Sequence, residues 1–257
     1  MEKRTAAAAS RSLSMRVSVI IPRKRTARPS LRFEKEAGCI VCGVDEVGCA
    51  PLAGPVVAAA LILPTKGLPR KLTALINDSK IVPRPKREAA AAALPEYCVI
   101  SFGQASVEEI DRLNIYHARM LAMRRAIAGL SVTPELALID GNAIPKELTC
   151  SVRTIVDGDA KCLSIAAASI VAKVFRDAYM RKLAEVFPGY GWETNVGYGT
   201  RDHRSALARL GVTAHHRRSF APVRLHLNLP LFSGAVVSDI DNTDEDHWSP
   251  RLSGLFR

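Results

Sequence analysis

The sequence has no apolar run long enough to cross a membrane and too little apolar sequence at its start for a secretion signal. Its apolar segment VVAAALIL stops at Pro64, far short of the roughly 18 residues that a membrane span requires. The first residues contain only a four-alanine run and the short segment VSVII, which is too little for a secretory leader. We therefore expect a soluble, non-secreted, cytoplasmic protein that does not engage membranes.

Cysteines are few and show no disulfide pattern. The six are spread through apolar, strand-like segments, as expected of small buried side chains in a reducing compartment. Cys39 and Cys42 form a C-x-x-C motif, but no second pair lies at zinc-like spacing, so a metal or redox role for this pair is not favoured. The six are Cys39, Cys42, Cys49, Cys98, Cys150 and Cys162.

Several common catalytic signatures are also missing. The glycines at positions 43, 48 and 54 are not followed by Gly-Lys-Ser/Thr, so a Walker-type phosphate loop is excluded. No Gly-x-Ser-x-Gly elbow is present, and His215 and His216 lie in a basic loop, so Ser/His/Asp chemistry has no support. There are no internal repeats.

Positive charge is abundant, but most of it lies at one end. The chain carries a formal charge of +11, and residues 1–37 hold ten Lys/Arg against three acids, which is +7 and leaves +4 for the rest. Residues 1–37 are predicted to be a basic, disordered extension. Their composition is similar to that of a transit peptide, although disorder or an upstream start codon explains it better. Residues 229–257 turn acidic and are predicted to be a disordered tail.

The remaining residues predict a mixed α/β core over 38–187 and a small helical and loop appendage over 188–228. Segments 39–48, 54–63 and 97–106 read as a three-strand meander, and 135–141 and 151–156 as further strands. Ser106 and Glu109 form a capping box that starts a helix running to Gly129. A long helix is expected over 164–187 and a short one over 202–210.

Four acids are placed where a sheet could gather them. Asp45 and Glu46 end the first predicted strand, and Asp140 ends the fourth. If these two strands are parallel neighbours, their carboxyl ends bring the three acids within a few ångströms of each other. Asp177 is the fourth candidate, because it lies in the long helix among apolar residues, with Lys173 four positions earlier on the same face.

Clustered buried carboxylates repel one another unless a cation offsets their charge. Two hard divalent ions about 4 Å apart, bridged by carboxylates and a substrate phosphate, are an established solution for phosphodiester hydrolysis. Oxygen ligands favour two Mg²⁺ or Mn²⁺ ions over zinc. Each acid taken alone is more commonly a helix cap or a surface charge, so the pattern leaves the structural alternative open.

A series of longer motifs resembles one known family. GVDEVGCAPLAGPVVAAALIL, INDSK, VEEIDRLNI, AMRRA, LIDGN, GDAKCLSIAAASIVAKVFRD, GYGTRDH and HRRSFAPV occur in this order between Cys39 and Val223. Together they are similar to the bacterial type 2 ribonucleases H, the ribonuclease HII family. The resemblance covers about seven-tenths of the chain, and neither end takes part in it.

The resemblance implies a ribonuclease H-like fold with a two-metal site on Asp45, Glu46, Asp140 and Asp177. It implies cleavage of the RNA strand of RNA–DNA hybrids, and cleavage on the 5′ side of a ribonucleotide embedded in duplex DNA, leaving 3′-hydroxyl and 5′-phosphate ends. The family tyrosine that stacks under the sugar after the ribonucleotide falls on Tyr198. No protein partner is implied, and a monomer is the default expectation.

One departure from the family falls where the ribonucleotide is read. After Asp-Glu-Val the family has Gly-Arg-Gly, whose backbone reads the 2′-hydroxyl, whereas this chain has Gly48, Cys49 and Ala50. Backbone donors and acceptors survive this change, but a guanidinium is lost. Ala50 also adds a methyl group where glycine permits close approach or a positive φ. The expected result is retained cleavage with weaker recognition of the junction.

Two smaller departures lie near the expected substrate path. The family often has lysine before the Gly-Asp of GDAK, where this chain has Asp157, an acid that either lowers affinity or points away; we favour the second. Asn195 and Val196 replace a His-Lys pair before GYGT. The remaining candidate phosphate partners are Lys80, Lys161, Lys173, Arg204, Arg217 and Arg218.

Two other functions stay open at this point. One is a hybrid-binding protein with impaired catalysis, in which Cys49 and Ala50 mark the decay of recognition; the four retained acids argue against it. The other is a nuclease or integrase of the same fold that uses DNA alone, against which Tyr198 and the intact Asp-Glu-Val stand.

Overall fold

A computed structural model of the chain describes residues 28–227. Its centre is a five-stranded mixed sheet with the strand order β3-β2-β1-β4-β5. The three-strand meander and the two parallel strands predicted from sequence are confirmed. The strands are β1 Val41–Val47, β2 Val56–Ile62, β3 Val99–Ala105, β4 Leu136–Asp140 and β5 Ser151–Ile155.

Helices flank both faces of this sheet. No helix among residues 28–227 is both long and apolar enough to cross a membrane. The helices are α1 Arg32–Ala37, α2 Arg70–Thr73, α3 Arg84–Ala93, α4 Val107–Leu113, α5 Ile115–Ala128, α6 Leu163–Val186, α7 Trp192–Asn195, α8 Arg201–Leu210 and α9 Ala221–Arg224.

The register of the sheet places its acids at one edge. β1 runs antiparallel to β2 and parallel to β4, with Val44 opposite Ile139. The carboxyl ends of parallel neighbours meet at the same edge, so Asp45 and Asp140 come together there. Successive side chains on a strand point to opposite faces. Cys42 and Val44 pack towards α5, so Asp45 projects towards α6.

Helix α6 lies directly against β1. A β-carbon on Gly43 would stand 2.2 Å from the backbone of Ser164, so only glycine permits this approach. Alanines on β2 and α6 then form a closely packed layer with α3. This close packing sets the position of α6 against the sheet. It therefore decides which residues of α6 lie next to the acidic edge.

The helix predicted from Ser106 to Gly129 is two helices. The capping box is confirmed, with the Ser106 hydroxyl accepting from the Glu109 amide and the Glu109 carboxylate from the Ser106 amide. Asn114, however, has φ 65° and ψ 164°, which ends α4. Its side chain then caps α5 by accepting from the His117 amide at 3.2 Å. The apolar spacing of the sequence continues across Asn114, so this spacing does not show that α4 ends there and α5 begins.

The C-terminal appendage contains three helices rather than the one predicted over 202–210. Helix α8 matches that prediction, and α7 and α9 are single turns. Leu52 and Ala53 from the β1–β2 connection pack with Trp192 and Leu207 in a small core of their own. The appendage is therefore attached to the segment that leaves the acidic end of β1.

The predicted N-terminal extension is partly ordered. Residues 1–27 lie outside the described part of the chain, as does the predicted acidic tail at 229–257. Residues 28–37 instead contain α1, and a Glu34 carboxylate oxygen accepts from the Ser164 amide at 2.7 Å. The first amides of a helix lack intrahelical partners, so Glu34 caps α6 from a distant part of the sequence.

Candidate active site

Asp45 lies at the centre of the acidic edge. It is 6% exposed, and its Oδ1 atom accepts the Glu46 amide at 2.7 Å. Burial, followed by the charges of Glu46 and Asp140, raises the pKa of Asp45 well above its usual range, and the Ser169 hydroxyl on α6 partly offsets this. A carboxylate in this setting needs a cation to stay ionised at neutral pH.

Glu46 projects to the opposite side of β1 and meets α5. The Nη1 atom of Arg119 lies 3.2 Å from Oε1 of Glu46. Burial raises the pKa of Glu46, the Arg119 guanidinium opposes this, and Asp140 adds to it. Arg119 therefore restrains and partly neutralises one of the predicted metal ligands, while leaving the second carboxylate oxygen unconstrained by that contact.

Asp140 is joined to a further acid that the sequence analysis did not select. Asp140 Oδ1 accepts from the Gly158 amide at 2.7 Å. The next residue, Asp159, is 7% exposed, and burial together with the charges of Asp78 and Asp140 raises its pKa. Asp159 thus shares the electrostatic environment of Asp140. Asp159 lies shortly after β5, inside the GDAK motif.

Lys80 is the cation beside this group. Its Nζ atom lies 3.9 Å from Asp159 Oδ2, and its side chain is 84% exposed. Burial opposes charging of this amine, but the charges of Asp159, Asp78, Asp45 and Asp140 together raise its pKa. The predicted substrate residue Lys80 therefore lies at the mouth of the acidic group, with a mobile ammonium that can meet a phosphate.

Asp177 has a different environment from the other three predicted acids. Lys173 Nζ lies 2.8 Å from its Oδ1, and Arg87 Nη2 lies 4.0 Å from its Oδ2. The role of Asp177 as a metal ligand stays a prediction.

The donor chemistry of this group fits a hard divalent cation. The ligands are carboxylate oxygens with no sulfur or imidazole, which suits Mg²⁺ or Mn²⁺. Burial, together with neighbouring carboxylates, raises the pKa values of Asp45, Glu46 and Asp159, so a bound cation would favour their charged forms. Within residues 28–227, no three Asp, Glu, His or Cys side chains stand close enough together to form a finished metal cage.

The β1–β2 loop (residues 48–55) continues directly from the acidic strand. Gly48 has φ 95°, and a β-carbon there would stand 2.3 Å from Arg176 Nε. Ala50 is exposed and is not among the residues with positive φ, so its methyl group causes no backbone strain. Burial and Glu46 raise the pKa of the Cys49 thiol to about 12, so it is neutral.

Arg217 is not available to a phosphate, which corrects its predicted role. Its guanidinium is fully buried and donates to the carbonyls of Gly48, Cys49 and Gly54 at 2.6 to 3.0 Å. A charged group is stable in such a place only when several acceptors surround it. Arg217 therefore holds the β1–β2 loop in shape, from a position almost 170 residues later in the chain.

A second buried arginine ties this loop to Tyr198. Arg176 donates to the carbonyls of Ala53, Pro55 and Val196 at 2.9 to 3.0 Å. The Leu52 amide donates to the Gly197 carbonyl at 2.8 Å. The β1–β2 loop and the 196–200 loop are thus one connected unit, and the replacement residue Val196 contributes a backbone acceptor to it.

Tyr198 lies within this unit, next to Lys173. Its side chain is 38% exposed, and its ring centroid lies 5.7 Å from Lys173 Nζ. Asn195, the other replacement in this segment, orders the turn by accepting from the Gly197 amide at 2.9 Å. Lys173 therefore connects the predicted sugar-stacking ring to the Asp177 carboxylate.

The other predicted phosphate partners are spread over the surface around the acids. Lys161 and Lys80 line a cleft of about 620 Å³ beside Asp159, together with Arg28 and Arg32. Asp157 points outward, with a side chain 78% exposed and 4.0 Å from Lys161, which is the orientation favoured from sequence. Arg204 and Arg218 are exposed in the appendage.

The structure also settles the state of the cysteines. All six are free, Cys39 is exposed and Cys42 is buried. Burial, followed by Cys150, raises the pKa of Cys42 to about 12. The two sulfurs of the C-x-x-C motif thus occupy different environments.

Comparison with known proteins finds one family over most of this chain. The family model for ribonuclease HII matches residues 42–223. A ribonuclease HII from Granulibacter bethesdensis is 56% identical over 204 residues, which cover 79% of this chain and 93% of that protein. A ribonuclease HII from Paramagnetospirillum magneticum is 55% identical over 199 residues, or 77% of this chain and 98% of that one.

Solved structures share the fold. A ribonuclease H2 from Pyrococcus horikoshii OT3 aligns with a TM-score of 0.62 at 24% identity, covering 72% of this chain and 95% of that one. The ribonuclease HII of Archaeoglobus fulgidus, solved in complex with PCNA, gives 0.53 at 25% identity over 69% and 92%. A Bst ribonuclease HIII solved with Mn²⁺ gives 0.60 at 20% identity over 74% and 69%.

Proposed function

The chain belongs to the ribonuclease HII family, and on that premise we propose that it cuts the RNA strand of RNA–DNA hybrids and nicks duplex DNA 5′ of an embedded ribonucleotide. Family membership makes it a nuclease, a hydrolase that acts on RNA, with the metal dependence of ribonucleases H. The proposed products carry 3′-hydroxyl and 5′-phosphate ends.

The observation that carries this proposal is a group of buried carboxylates whose charged forms the fold disfavours. Asp45, Glu46 and Asp159 are largely buried near Asp140 with raised pKa values, and the nearby cations Arg119 and Lys80 lie next to Glu46 and Asp159 respectively. Such a group is retained when its function needs negative charge there. Two Mg²⁺ or Mn²⁺ ions bound at these oxygens would supply an activated water and stabilise the leaving oxygen.

Within this site we propose Asp177 as the fourth carboxylate, as the resemblance implies, with Asp159 as a further acid next to Asp140. Asp159 lies 3.9 Å from the Lys80 ammonium, whereas Asp177 pairs with Lys173 at 2.8 Å and lies 4.0 Å from Arg87. Lys173 also lies 5.7 Å from the centroid of the Tyr198 ring, so it links the Asp177 carboxylate to the proposed sugar-stacking residue.

Recognition of the ribonucleotide is proposed for the β1–β2 loop. Arg217 occupies the carbonyls of Gly48 and Cys49, while the amides of Cys49 and Ala50 make no hydrogen bond within the described residues. These amides are free to donate to a 2′-hydroxyl. Tyr198 would carry the following deoxyribose on its ring, where a second 2′-hydroxyl would be crowded or lose its water.

One assay separates this proposal from a binding protein and from a DNA nuclease. Purified protein is incubated with a long hybrid, a duplex with one ribonucleotide and an all-DNA duplex, each with Mg²⁺, Mn²⁺ or EDTA. Metal-dependent cleavage of the first two alone, lost in Asp140→Asn, is expected. Binding without cleavage would favour the impaired-catalysis alternative, cleavage of all-DNA would favour the DNA nuclease, and activity in EDTA would refute the metal mechanism.

A further inference from the structure

Two buried histidines connect the appendage to the carbonyl of Tyr198. His203 lies in the first turn of α8, where the Thr200 hydroxyl caps the helix. Its Nδ1 atom lies 2.9 Å from the Tyr198 carbonyl oxygen, and its Nε2 atom lies 3.1 Å from His216 Nε2. His216 Nδ1 in turn lies 3.0 Å from the Thr213 amide nitrogen. Both imidazoles are completely buried.

The chemistry of the two ends fixes the direction of every hydrogen bond in this chain. The Thr213 amide can only donate, so His216 Nδ1 accepts and the ring carries its proton on Nε2. This N–H and the indole N–H of Trp192, each 3.1 Å away, both point at His203 Nε2 and share its single lone pair. His203 therefore carries its proton on Nδ1 and donates it to the Tyr198 carbonyl, which can only accept.

This arrangement restrains the backbone that carries the Tyr198 ring. The same carbonyl also accepts from the Thr200 amide at 2.8 Å, and the preceding Gly197 carbonyl is held by Leu52. With its carbonyl fixed, Tyr198 has little freedom to change the direction of its side chain. We propose that His203 is a positioning residue for Tyr198, and that His216 and Trp192, which both donate to its Nε2 atom, select the tautomer in which His203 does this. The inference rests on the proposed stacking role of Tyr198.

Two isosteric variants of His203 separate the functions of its two nitrogens. The side-chain amide of asparagine places a donor near the Nδ1 position, so His203→Asn keeps the bond to Tyr198 and loses contact with His216. Glutamine reaches the Nε2 position, so His203→Gln keeps contact with His216 and loses the bond to Tyr198. Both variants keep a side-chain amide, and the smaller residue, asparagine, is the one expected to retain function, so lost volume in the small core cannot produce the expected result.

The readout is the ratio of kcat/KM for a single-ribonucleotide duplex to that for a long hybrid. His203→Gln should lower this ratio about tenfold, because a misplaced contact weakens the step it supports, whereas His203→Asn should stay within about twofold of the parent chain. In a Tyr198→Ala background, His203→Gln should have no further effect on the ratio, since both changes remove the same interaction. Thermal melts confirm that each variant is folded.

The tautomers can be observed directly in the unaltered protein by ¹⁵N–¹H spectra of the imidazoles. His203 should show the Nδ1-protonated form and His216 the Nε2-protonated form, and His216→Gln should leave His203 in the same form because its amide can still donate. Opposite tautomers would overturn the inference, as would equal ratios for the two His203 variants or an effect that persists without Tyr198. Absence of junction cleavage in the parent chain would instead refute the proposed function.

Discussion

The ammonium of Lys173 lies 2.8 Å from Oδ1 of Asp177, one turn apart on α6, while Asp159 stands beside Asp140 at the edge of the sheet. Burial is the largest cause of the raised pKa of Asp159, followed by the charges of Asp78 and Asp140. The two acids therefore have different surroundings, although both lie in motifs of the sequence.

Asp177→Asn should lower activity more than Asp159→Asn. We expect Asp177→Asn to lower kcat more than about 100-fold, beyond the range typical of residues outside the metal ligands, and Asp159→Asn to lower it by less than that. Calorimetric titration with Mn²⁺ should show the larger loss of binding for Asp177→Asn. If Asp159→Asn loses Mn²⁺ binding and Asp177→Asn does not, the assignment of the fourth carboxylate is wrong.

Asp45→Asn should be inactive and, in EDTA, more stable than the parent chain. Because the folded state raises the pKa of Asp45, its stability contribution is present at low pH and lost as pH rises through that raised value. Removing the charge should therefore stabilise the protein by about 1–2 kcal/mol at pH 8, and by less at pH 4. Urea unfolding measures this, with the exposed Asp157→Asn as a neutral control.

Arg217→Met should destabilise the fold far more than Arg218→Met. The first leaves the carbonyls of Gly48, Cys49 and Gly54 buried without a donor, at about 1–3 kcal/mol each. We expect a loss of at least about 3 kcal/mol, compared with less than about 0.5 kcal/mol for the exposed neighbour. Equal urea midpoints for the two variants would contradict the role given to Arg217.

Acid should unfold this protein partly through His216. Burial, followed by His203 and His215, lowers the pKa of His216 from 6.5 to about 3. The unfolded chain then binds the proton more tightly, so stability is full above pH 6.5 and falls towards pH 3, by up to about 1.4 kcal/mol per pH unit. His216→Gln should flatten this slope, and the exposed His117→Gln should leave it unchanged.

Cys49→Arg with Ala50→Gly should restore stronger recognition of the junction. Ala50 has no positive φ, so the gain should come mainly from the guanidinium and its phosphate contact rather than from relief of strain. We expect the rate ratio of single-ribonucleotide duplex to hybrid to rise severalfold. The single variant Ala50→Gly should change little, and identical ratios for the parent and the double variant would discard the idea.

Much of the fold follows from patterns that are local. Alternating and continuous apolar segments predict the strands, and Ser106 with Glu109 predicts the start of α4, because hydrophobic period and capping depend on neighbours within one element. The break at Asn114 does not follow, since apolar spacing runs across it. Helix α1 does not follow from a local pattern either, because its position depends on the contact between Glu34 and the first turn of α6.

The sequence alone determined that strand-end acids would gather at one edge of a mixed sheet, because parallel neighbours must place their carboxyl ends together. Only the tertiary structure decided the partners of each charge. Arg87 lies beside Asp177, Arg119 pairs with Glu46, and Arg217 turns inward to the carbonyls of the β1–β2 loop. These contacts join residues far apart in the chain, and their energies depend on burial, which no local pattern specifies.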